Sequence, residues 1–277
     1  MTAPDRVRLI CTDFDGTLLN TAGTIGPVTR SALARAASRG LPVAGVTGRP
    51  LRDALAVARD HGLGGLVVCS NGAVTAEVDS GRVVRCRGFA GPEVGSVLGR
   101  LRARLPGVAL GVDTLRGLFL EPDFGALVPD CWPHQRVPDA LAALARDDQV
   151  VKILAVHPAV PGPALAEPLT RPDDALKTTC STPYFLEISP RNVDKGVALR
   201  WLARYYGTRI TATAAIGDMP NDLPMLRAAG LAAAVTNAHR DVRRAADLIV
   251  PSNDEEGVAD LIMMVCGAGR ESPYAGR

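Results

Sequence analysis

The sequence predicts an α/β fold in which a helix-covered parallel β-sheet is interrupted by an inserted α+β domain, and three observations support it. The chain has 277 residues, which exceeds the usual length of one domain. Short, uniformly apolar runs alternate with helical segments, as is typical of parallel strands buried on both faces. Polar residues stand directly after several runs, the clearest being Asp13, Thr47, Asn71 and Asp218. Because ligands of open parallel sheets bind beyond the carboxyl ends of the strands, these residues are predicted to meet along one edge.

The N-terminal part of the chain supplies three predicted strands and two predicted helices in alternation. Pro27 suits the first turn of a helix and Gly40 suits its C-terminal cap, so a helix is predicted over residues 27–39. Pro50 opens a second predicted helix, which extends to residue 61. The predicted strands that alternate with these helices cover residues 7–11, 41–46 and 66–69.

The alternating pattern resumes towards the C-terminus, and a different pattern separates the two halves. The resumed pattern predicts strands over residues 210–216, 231–235 and 248–250, and helices that start near residues 196 and 223. Residues 83–187 instead carry short β-like pieces, one helix over residues 94–104 and a high density of proline. We therefore predict a Rossmann-like parallel-sheet core formed by residues 1–82 and 188–277, with an inserted α+β cap domain between them.

Composition and charge exclude several classes of function. Basic and acidic residues nearly balance, 31 against 29, and no long basic run favours nucleic acid or a membrane surface as partner. No N-terminal signal segment and no window of about 18 apolar residues occurs, so a cytoplasmic protein without membrane spans is expected. None of the six cysteines forms a C-x-x-C pair, and Cys11 and Cys69 are predicted to be buried thiols. A zinc site at Cys131 and His134 would lack its third and fourth ligands.

The sequence DFDGT at residues 13–17 carries two candidate catalytic carboxylates. Side chains alternate in an extended segment, so Asp13 and Asp15 can point the same way while Phe14 packs on the opposite side. Two carboxylates on one side can bind a hard cation and divide the roles of nucleophile and acid. An EF-hand loop is excluded because Leu18 stands where that motif needs glycine. The structural alternative is a strand that ends in an Asp-Gly turn.

Three further segments offer groups that can bind a phosphate. Thr47 and Gly48 end a predicted strand, where a hydroxyl and backbone N–H groups precede the helix that Pro50 opens. Lys195 precedes a predicted helix and could neutralise a phosphoryl group. The sequence GDMPND at residues 217–222 adds two carboxylates and an amide at another strand end. Ordinary structural roles are the alternatives: a strand-to-helix turn, a solvated lysine and an Asx-type helix cap.

Taken together and in this order, the four segments resemble the haloacid dehalogenase superfamily, and most closely its Cof-like branch of small-molecule phosphatases. Four supporting segments also resemble that branch: CSNGA at residues 69–73, EISP at 187–190, TNA at 236–238 and SNDEEGVA at 252–259. The resemblance covers the core. The insertion matches only in size, position and general pattern.

The resemblance implies a mechanism and a set of site residues. Asp13 would attack phosphorus to form an aspartyl-phosphate, and Asp15 would act as the general acid and base. The implied metal is Mg²⁺, held by the Asp13 carboxylate, the Asp15 backbone carbonyl and Asp218. The implied phosphoryl-binding groups are Thr47, the Gly48 amide, Lys195 and Asn221. Asp222 is implied to support the metal or to orient Lys195, and Arg49 is a further candidate for substrate contact.

The expected reaction is hydrolysis of a small phosphate monoester, with sugar phosphates first among the substrates. A phosphotransferase or phosphomutase acting on a sugar phosphate and a non-catalytic phosphometabolite-binding protein are the alternatives. The expected partner is a small phosphorylated metabolite, and the chain is expected to be a monomer or a small homo-oligomer. Residues in the insertion that could contact the leaving group are Trp132, His134, Arg136 and Lys152.

Overall fold

The computed structural model describes residues 6–128, 132–169, 176–180 and 184–267, which form two β-sheets and the helices packed against them. The strands of the larger sheet are β1 (Leu9–Thr12), β2 (Val43–Val46), β3 (Leu66–Cys69), β4 (Val74–Glu77), β5 (Val83–Cys86), β12 (Thr213–Gly217), β13 (Leu231–Val235) and β14 (Leu248–Val250). Their order across the sheet is β14-β13-β12-β1-β2-β3-β4-β5.

Strand direction in the larger sheet determines where its polar loops meet. The strands from β14 to β3 run parallel, whereas β4 and β5 form an antiparallel hairpin at one edge. All four residues of β1 are buried, as expected for a strand covered on both faces. Strand β1 lies between β12 and β2, with β3 next to β2. The carboxyl ends of these four strands therefore lie side by side along one edge of the sheet.

The helices are α1 (Pro27–Ser38), α2 (Leu51–Asp60), α3 (Gly91–Arg104), α4 (Pro122–Leu127), α5 (Lys195–Tyr205), α6 (Leu223–Leu226), α7 (Arg240–Ala245) and α8 (Gly257–Val265). The start of α5 is fixed by Asp194, whose side chain accepts a hydrogen bond from the N–H of Val197 at 2.7 Å. A Cβ atom on Gly196 would lie 2.3 Å from the Pro224 carbonyl oxygen, so glycine permits the close packing of α5 against α6. Lys195, the first residue of α5, is thereby held in one position.

The smaller sheet is formed by the inserted part of the chain. Its strands are β6 (Ala109–Thr114), β7 (Leu118–Leu120), β8 (Gln135–Arg136), β9 (Val150–Val156), β10 (Leu176–Thr179) and β11 (Leu186–Pro190). They lie in the order β10-β11-β9-β6-β7-β8, and all neighbours are antiparallel except β7 and β8. We refer to residues 87–190, which carry this sheet, as the cap and to the other described residues as the core.

One face of the cap sheet packs on α3, and the other face carries charged residues. Val94, Leu98 and Leu101 of α3 form an apolar cluster with alternate residues of β6, β9 and β11. Because side chains alternate along a strand, the residues between these point to the opposite face. Asp113 of β6, Lys152 of β9 and Glu187 of β11 are buried without belonging to the α3 cluster.

The structure confirms the α/β fold class and most of the predicted elements. The predicted strands at residues 66–69, 231–235 and 248–250 have the observed bounds. The strand predicted over residues 210–216 is shorter, because residues 210–212 form a 3-10 turn in which the Thr213 hydroxyl donates to the Ile210 carbonyl at 2.7 Å. Within the described ranges no helix is long and apolar enough to cross a membrane.

The strand pairing shifts both predicted boundaries of the insertion. Val83–Cys86 pairs with β4 in the larger sheet, because β3, β4 and β5 continue as an antiparallel meander. At the other boundary, β11 remains in the smaller sheet as far as Pro190. The chain therefore leaves the larger sheet after its fifth strand and not after its third. Cys11 and Cys69 are buried free thiols as predicted, and Cys131 lies outside the described residues.

Candidate active site

The predicted polar residues converge at the carboxyl edge of the core sheet. Asp13 follows β1, and its backbone N–H donates to the Ile216 carbonyl at 3.0 Å, which extends the parallel pairing by one residue. The Asp13 side chain is buried, whereas that of Asp15 is 56% exposed. The two carboxylates thus have different surroundings, although only Phe14 separates them.

Lys195 is completely buried and joins Asp13 to a second carboxylate. Its Nζ atom donates to Asp13 Oδ1 at 2.7 Å and to Asp222 Oδ1 at 2.7 Å. Burial lowers the pKa of Lys195, but the nearby Asp13 and Asp222 outweigh it and hold that pKa above its ordinary value. The site therefore contains a fixed positive charge next to the Asp13 carboxylate.

Asp222 is engaged at both carboxylate oxygens. Its Oδ1 atom accepts from Lys195, and its Oδ2 atom accepts from the backbone N–H groups of Asp218 and Met219, each at 3.0 Å. A Cβ atom on Gly217 would lie 2.3 Å from the Asp222 side chain, so glycine leaves room for this carboxylate. These contacts favour an orienting role for Asp222, in which it holds Lys195 and the loop that carries Asp218.

A cluster of carboxylates at this edge has the donor chemistry of a divalent cation site. Asp13, Asp218 and Asp222 each offer an oxygen atom, and these atoms lie within 4.8 Å of one another. Burial and then the charge of Asp222 raise the pKa of Asp218 to about 6, and burial raises the pKa of Asp13 well above its usual range. Hard oxygen donors that repel one another suit a hard cation such as Mg²⁺. Because Asp222 is already engaged, Asp13 and Asp218 fit best as direct ligands.

The loop after β1 shapes the position of Asp218. The Thr17 hydroxyl donates to Asp218 Oδ1 at 2.9 Å. Gly16 has a φ of 72°, and a Cβ atom there would lie 2.5 Å from Asp218 Oδ2. The Asn237 side-chain amide donates to the Gly16 carbonyl at 2.8 Å and so connects the loop to the segment after β13. The glycine of the DFDGT sequence is therefore required by the close approach of Asp218 as well as by the turn.

Arg49 holds the Asp15 carboxylate. Its Nε and Nη2 atoms donate to the two oxygens of Asp15 at 2.8 and 2.5 Å, and Nη1 donates to Asp53 at 2.6 Å. Such a two-bond contact fixes the plane of the carboxylate. The sequence identified Arg49 only as a candidate for substrate contact, whereas the structure shows it paired with the predicted acid and base.

The loop after β2 offers two phosphate-binding donors. Thr47 is buried, and its Oγ1 atom accepts from the Arg49 N–H at 3.1 Å, which leaves the hydroxyl hydrogen for another acceptor. The Gly48 N–H donates to no residue that the structure describes. Hydrogen-bond donors at the end of a parallel strand, next to Lys195 and Asp13 at the same edge, can hold phosphoryl oxygens.

Asn71 was predicted to lie at this edge, but its role as a hydrogen-bond donor in the site was not predicted. The Asn221 Nδ2 atom donates to Asn71 Oδ1 at 3.1 Å, so the predicted donor at Asn221 is engaged. The Asn71 Nδ2 atom is buried and has no partner among the described residues. Ser70 and Asn71 both adopt left-handed backbone conformations, with φ of 48° and 56°. Two adjacent left-handed residues other than glycine are uncommon and often occur at functional sites.

A cavity of about 270 Å³ lies next to these amides, between core and cap. Asn71, Lys195 and Asn221 line its core side, and Lys177 and Thr178 of β10 line its cap side. Lys177 also donates to Asp194, the N-cap of α5, at 2.6 Å. The cavity is therefore lined by residues of both the core and the cap.

The four cap residues proposed for leaving-group contact differ in position. Lys152 is buried and donates to the Gly48 carbonyl at 2.7 Å, and its Nζ atom lies 4.7 Å from the centre of the Trp132 ring. His134 and Arg136 are exposed. His134 lines a second cavity of about 310 Å³, which Asp53 of α2 and Asp113 of β6 also line.

Comparison with known proteins identifies the class that this fold and site define. A family model described as haloacid dehalogenase-like hydrolase matches residues 10–112 and 133–262, which is most of the chain. The chain belongs to this family, and within it to the Cof-like branch. A solved haloacid dehalogenase-like hydrolase from Bacillus subtilis superposes with a TM-score of 0.81 at 25% sequence identity, covering 92% of this chain and 99% of that chain.

Two curated relatives match over most of this chain but differ in length. A protein of Bacillus subtilis (strain 168) named 5-amino-6-(5-phospho-D-ribitylamino)uracil phosphatase YwtE is 27% identical over 281 residues, covering 92% of this chain and 97% of the relative. A protein of Arabidopsis thaliana named Endoribonuclease YBEY, chloroplastic is 28% identical over 267 residues. That match covers 90% of this chain and 45% of the relative, so this chain spans less than half of it.

Proposed function

We propose that this chain is a magnesium-dependent phosphatase that hydrolyses small phosphate monoesters through an aspartyl-phosphate on Asp13. The observation that carries the proposal is the buried Lys195 ammonium, held 2.7 Å from Asp13 at the edge where the phosphate-binding donors converge. A carboxylate approaches a phosphate dianion only where positive charge offsets their repulsion. The YwtE relative is named as a phosphatase, which supports the same reaction class here.

Each group has a role that its surroundings suit. The Asp13 carboxylate oxygen would attack phosphorus while the bond from phosphorus to the leaving oxygen breaks, and the exposed Asp15 would give that oxygen a proton. Asp15 would then accept a proton from the water that hydrolyses the acyl phosphate and releases inorganic phosphate. Arg49 orients the Asp15 carboxylate, and one of its two contacts would open to free the oxygen that carries the proton.

The phosphoryl oxygens would be held by this chain's own donors. Of the predicted set, Lys195, the Thr47 hydroxyl and the Gly48 N–H would do so, and the unpaired Asn71 amide hydrogens would take the place of the fourth member, Asn221. Asp13, Asp218 and the Asp15 backbone carbonyl would hold Mg²⁺, which would supply positive charge to offset the negative charge of the phosphoryl oxygens. Asn221 was predicted to bind the phosphoryl group directly. Because its amide donates to Asn71, it would instead hold Asn71 in place.

Turnover of an aryl phosphate tests the proposal against a non-catalytic binding protein. We expect magnesium-dependent release of phosphate by the natural chain and none by Asp13→Asn, because the amide is a poor nucleophile. Asp79→Asn is the matched control, since Asp79 is exposed in the turn between β4 and β5. Equal activity in the natural chain and in Asp13→Asn would contradict the proposal, as would full activity after exhaustive chelation.

Product analysis separates hydrolysis from phosphoryl transfer. In the presence of a sugar acceptor, a phosphatase releases one inorganic phosphate for each ester consumed. A phosphotransferase or phosphomutase would instead recover the phosphoryl group on the acceptor. If the acceptor became phosphorylated and correspondingly less inorganic phosphate were released, the protein would be a phosphotransferase or phosphomutase and not a phosphatase.

A further inference from the structure

Two buried hydrogen bonds connect the cap sheet to the loops that follow β2 and β3. Lys152 Nζ of β9 donates to the Gly48 carbonyl at 2.7 Å, and the Ser70 hydroxyl donates to Asp113 Oδ2 of β6 at 2.5 Å. Each of these hydrogen bonds joins one residue of the cap to one residue of the core. The cap therefore contacts the candidate phosphate-binding loop directly.

The loop after β2 is held at three consecutive carbonyl oxygens. The Thr47 carbonyl accepts from the Asn71 N–H at 3.0 Å, and the Arg49 carbonyl accepts from the Ser70 N–H at 2.9 Å. The Gly48 carbonyl between them accepts from Lys152. Two of the three supports thus come from the core, and the middle one comes from the cap.

The middle support determines how the loop presents its donors. The Gly48 carbonyl and the Arg49 N–H belong to one planar peptide group, so fixing one fixes the other. The Arg49 N–H donates to Thr47 Oγ1 at 3.1 Å and thereby orients the Thr47 hydroxyl. Rotation of this peptide would also displace Arg49, which holds Asp15. A change at the Gly48 carbonyl therefore reaches both the phosphate donors and the acid.

Lys152 belongs to a buried cluster of charged side chains that also contains Glu187 and Asp113. Its side chain and that of Glu187 are both 0% exposed and 2.8 Å apart, and Asp113 is also fully buried. Glu187 Oε2 and Asp113 Oδ1 have no hydrogen-bond partner among the described residues. Apolar side chains in such positions generally stabilise a protein at least as well as a buried ion pair does. The charged arrangement therefore requires a reason beyond stability, and the contact with Gly48 provides one.

We propose that Lys152 is a positioning residue that completes the phosphate-binding loop when the cap is docked on the core. The inference rests on the proposed phosphatase function and extends it. Lys152 touches neither the phosphoryl group nor the leaving group. It holds the peptide between Gly48 and Arg49, whose N–H orients the Thr47 hydroxyl, so docking of the cap and competence of the loop are coupled.

The test is Lys152→Met, which keeps an unbranched side chain of similar length and removes the donor. The matched control is Arg116→Met, because Arg116 is a cap cation that pairs with Asp148 inside the cap. We expect kcat/KM to fall by about 10- to 100-fold in Lys152→Met, the scale seen when catalytic groups are displaced by about 1 Å. The factor should be the same for an aryl phosphate and for a hydroxylated monoester, and Arg116→Met should match the natural chain.

Two results would overturn the proposal. A loss restricted to the hydroxylated ester would make Lys152 a leaving-group contact. Lower thermal stability with unchanged kcat/KM for the folded protein would make it purely structural. Because Lys152→Met leaves Glu187 unpaired, Lys152→Met with Glu187→Gln is the second variant, and the same loss is expected in it.

A measurement that needs no turnover separates this inference from the proposed function. We expect the backbone amide resonances of Gly48 and Arg49 to shift in Lys152→Met and to remain in place in Arg116→Met. An inactive natural chain would contradict the proposed function. The Gly48 and Arg49 resonances would still show whether Lys152 positions the loop. Unchanged Gly48 and Arg49 resonances in Lys152→Met would contradict the positioning role.

Discussion

The core and the cap each contain a completely buried lysine next to carboxylates, but the two lysines are used differently. Lys195 of the core donates to Asp13 and Asp222, which both belong to the carboxyl edge of the sheet. Lys152 of the cap donates to Glu187 and to a backbone carbonyl of the core. The first arrangement places a cation where a phosphoryl group would bind. The second places a cation against the Gly48 carbonyl, in the loop that would surround that phosphoryl group.

The carboxylates around the two lysines also differ in what satisfies them. Both oxygens of Asp222 are hydrogen-bonded, so the core cluster is complete on the side away from the substrate. In the cap cluster, one oxygen of Glu187 and one of Asp113 have no partner among the described residues. A buried polar group without a partner is costly. One oxygen each of Glu187 and Asp113 therefore carries a desolvation cost that neither oxygen of Asp222 carries.

The largest effect is expected from Lys195→Met. Removing the ammonium leaves Asp13 and Asp222 facing each other without a counter-charge, and we expect turnover of an aryl phosphate to fall by about 10³-fold. Circular dichroism and thermal unfolding serve as the control for folding, since loss of one partner from a buried pair costs about 3–5 kcal/mol. A folded Lys195→Met variant that retained more than a tenth of the natural turnover would contradict the role of Lys195 as the counter-charge to the phosphoryl group.

A smaller effect is expected on the pH dependence of stability, through Asp113. Burial raises the pKa of Asp113 to about 6, with Lys152 and Ser70 opposing the shift and Glu187 adding to it. Between the unfolded value of about 4 and pH 6 the folded state binds the extra proton, so this contribution to stability is present at low pH and is lost as the pH rises. The difference amounts to about 2–3 kcal/mol at most for a shift of about two units.

The variant Asp113→Asn tests this account of the cap cluster. Asparagine cannot titrate, so we expect the free energy of unfolding of the variant, relative to the natural chain, to increase between pH 4 and pH 7. Chemical denaturation at several pH values measures the difference. A constant difference over this range would show that Asp113 does not titrate there.

The smallest of these effects is expected from Arg49→Lys. Lysine keeps the charge but cannot make the two-bond contact with Asp15 while also reaching Asp53. We expect kcat to fall about tenfold, on the scale of a poorly oriented general acid and base, with KM for the aryl phosphate nearly unchanged. A rise in KM at constant kcat would instead assign Arg49 to substrate binding.

The sequence was sufficient for the parallel strands of the core because local patterns and topology coincide there. Asp13, Thr47 and Asp218 each follow an apolar parallel strand, and such strands end at one edge, so their proximity followed from the fold class alone. Lys195 was a candidate because it precedes a predicted helix, the resemblance implied its phosphate-binding role, and the structure places it beside Asp13. The hairpin of β4 and β5 was missed because its short strands, Val74–Glu77 and Val83–Cys86, lack the uniform apolar pattern of the parallel strands.

The cap contacts could not be predicted because they depend on the register between distant strands. Asp113, Lys152 and Glu187 meet only because β9 lies between β6 and β11 in that register. Nothing in the sequence near Lys152 indicates that its partner would be the Gly48 carbonyl. The free donor at Asn71 likewise depends on two left-handed residues and on the direction of one amide.

The central claim is that the core edge transfers a phosphoryl group to Asp13, and trapping of that intermediate tests it most directly. The natural chain is mixed with an aryl phosphate and Mg²⁺, quenched in acid during turnover and digested for mass spectrometry. We predict one phosphoryl group on the peptide that contains Asp13, and none in the Asp13→Asn variant. A phosphoryl group on another residue would contradict the account. So would turnover by the natural chain without any phosphorylated peptide, under conditions that preserve acyl phosphates.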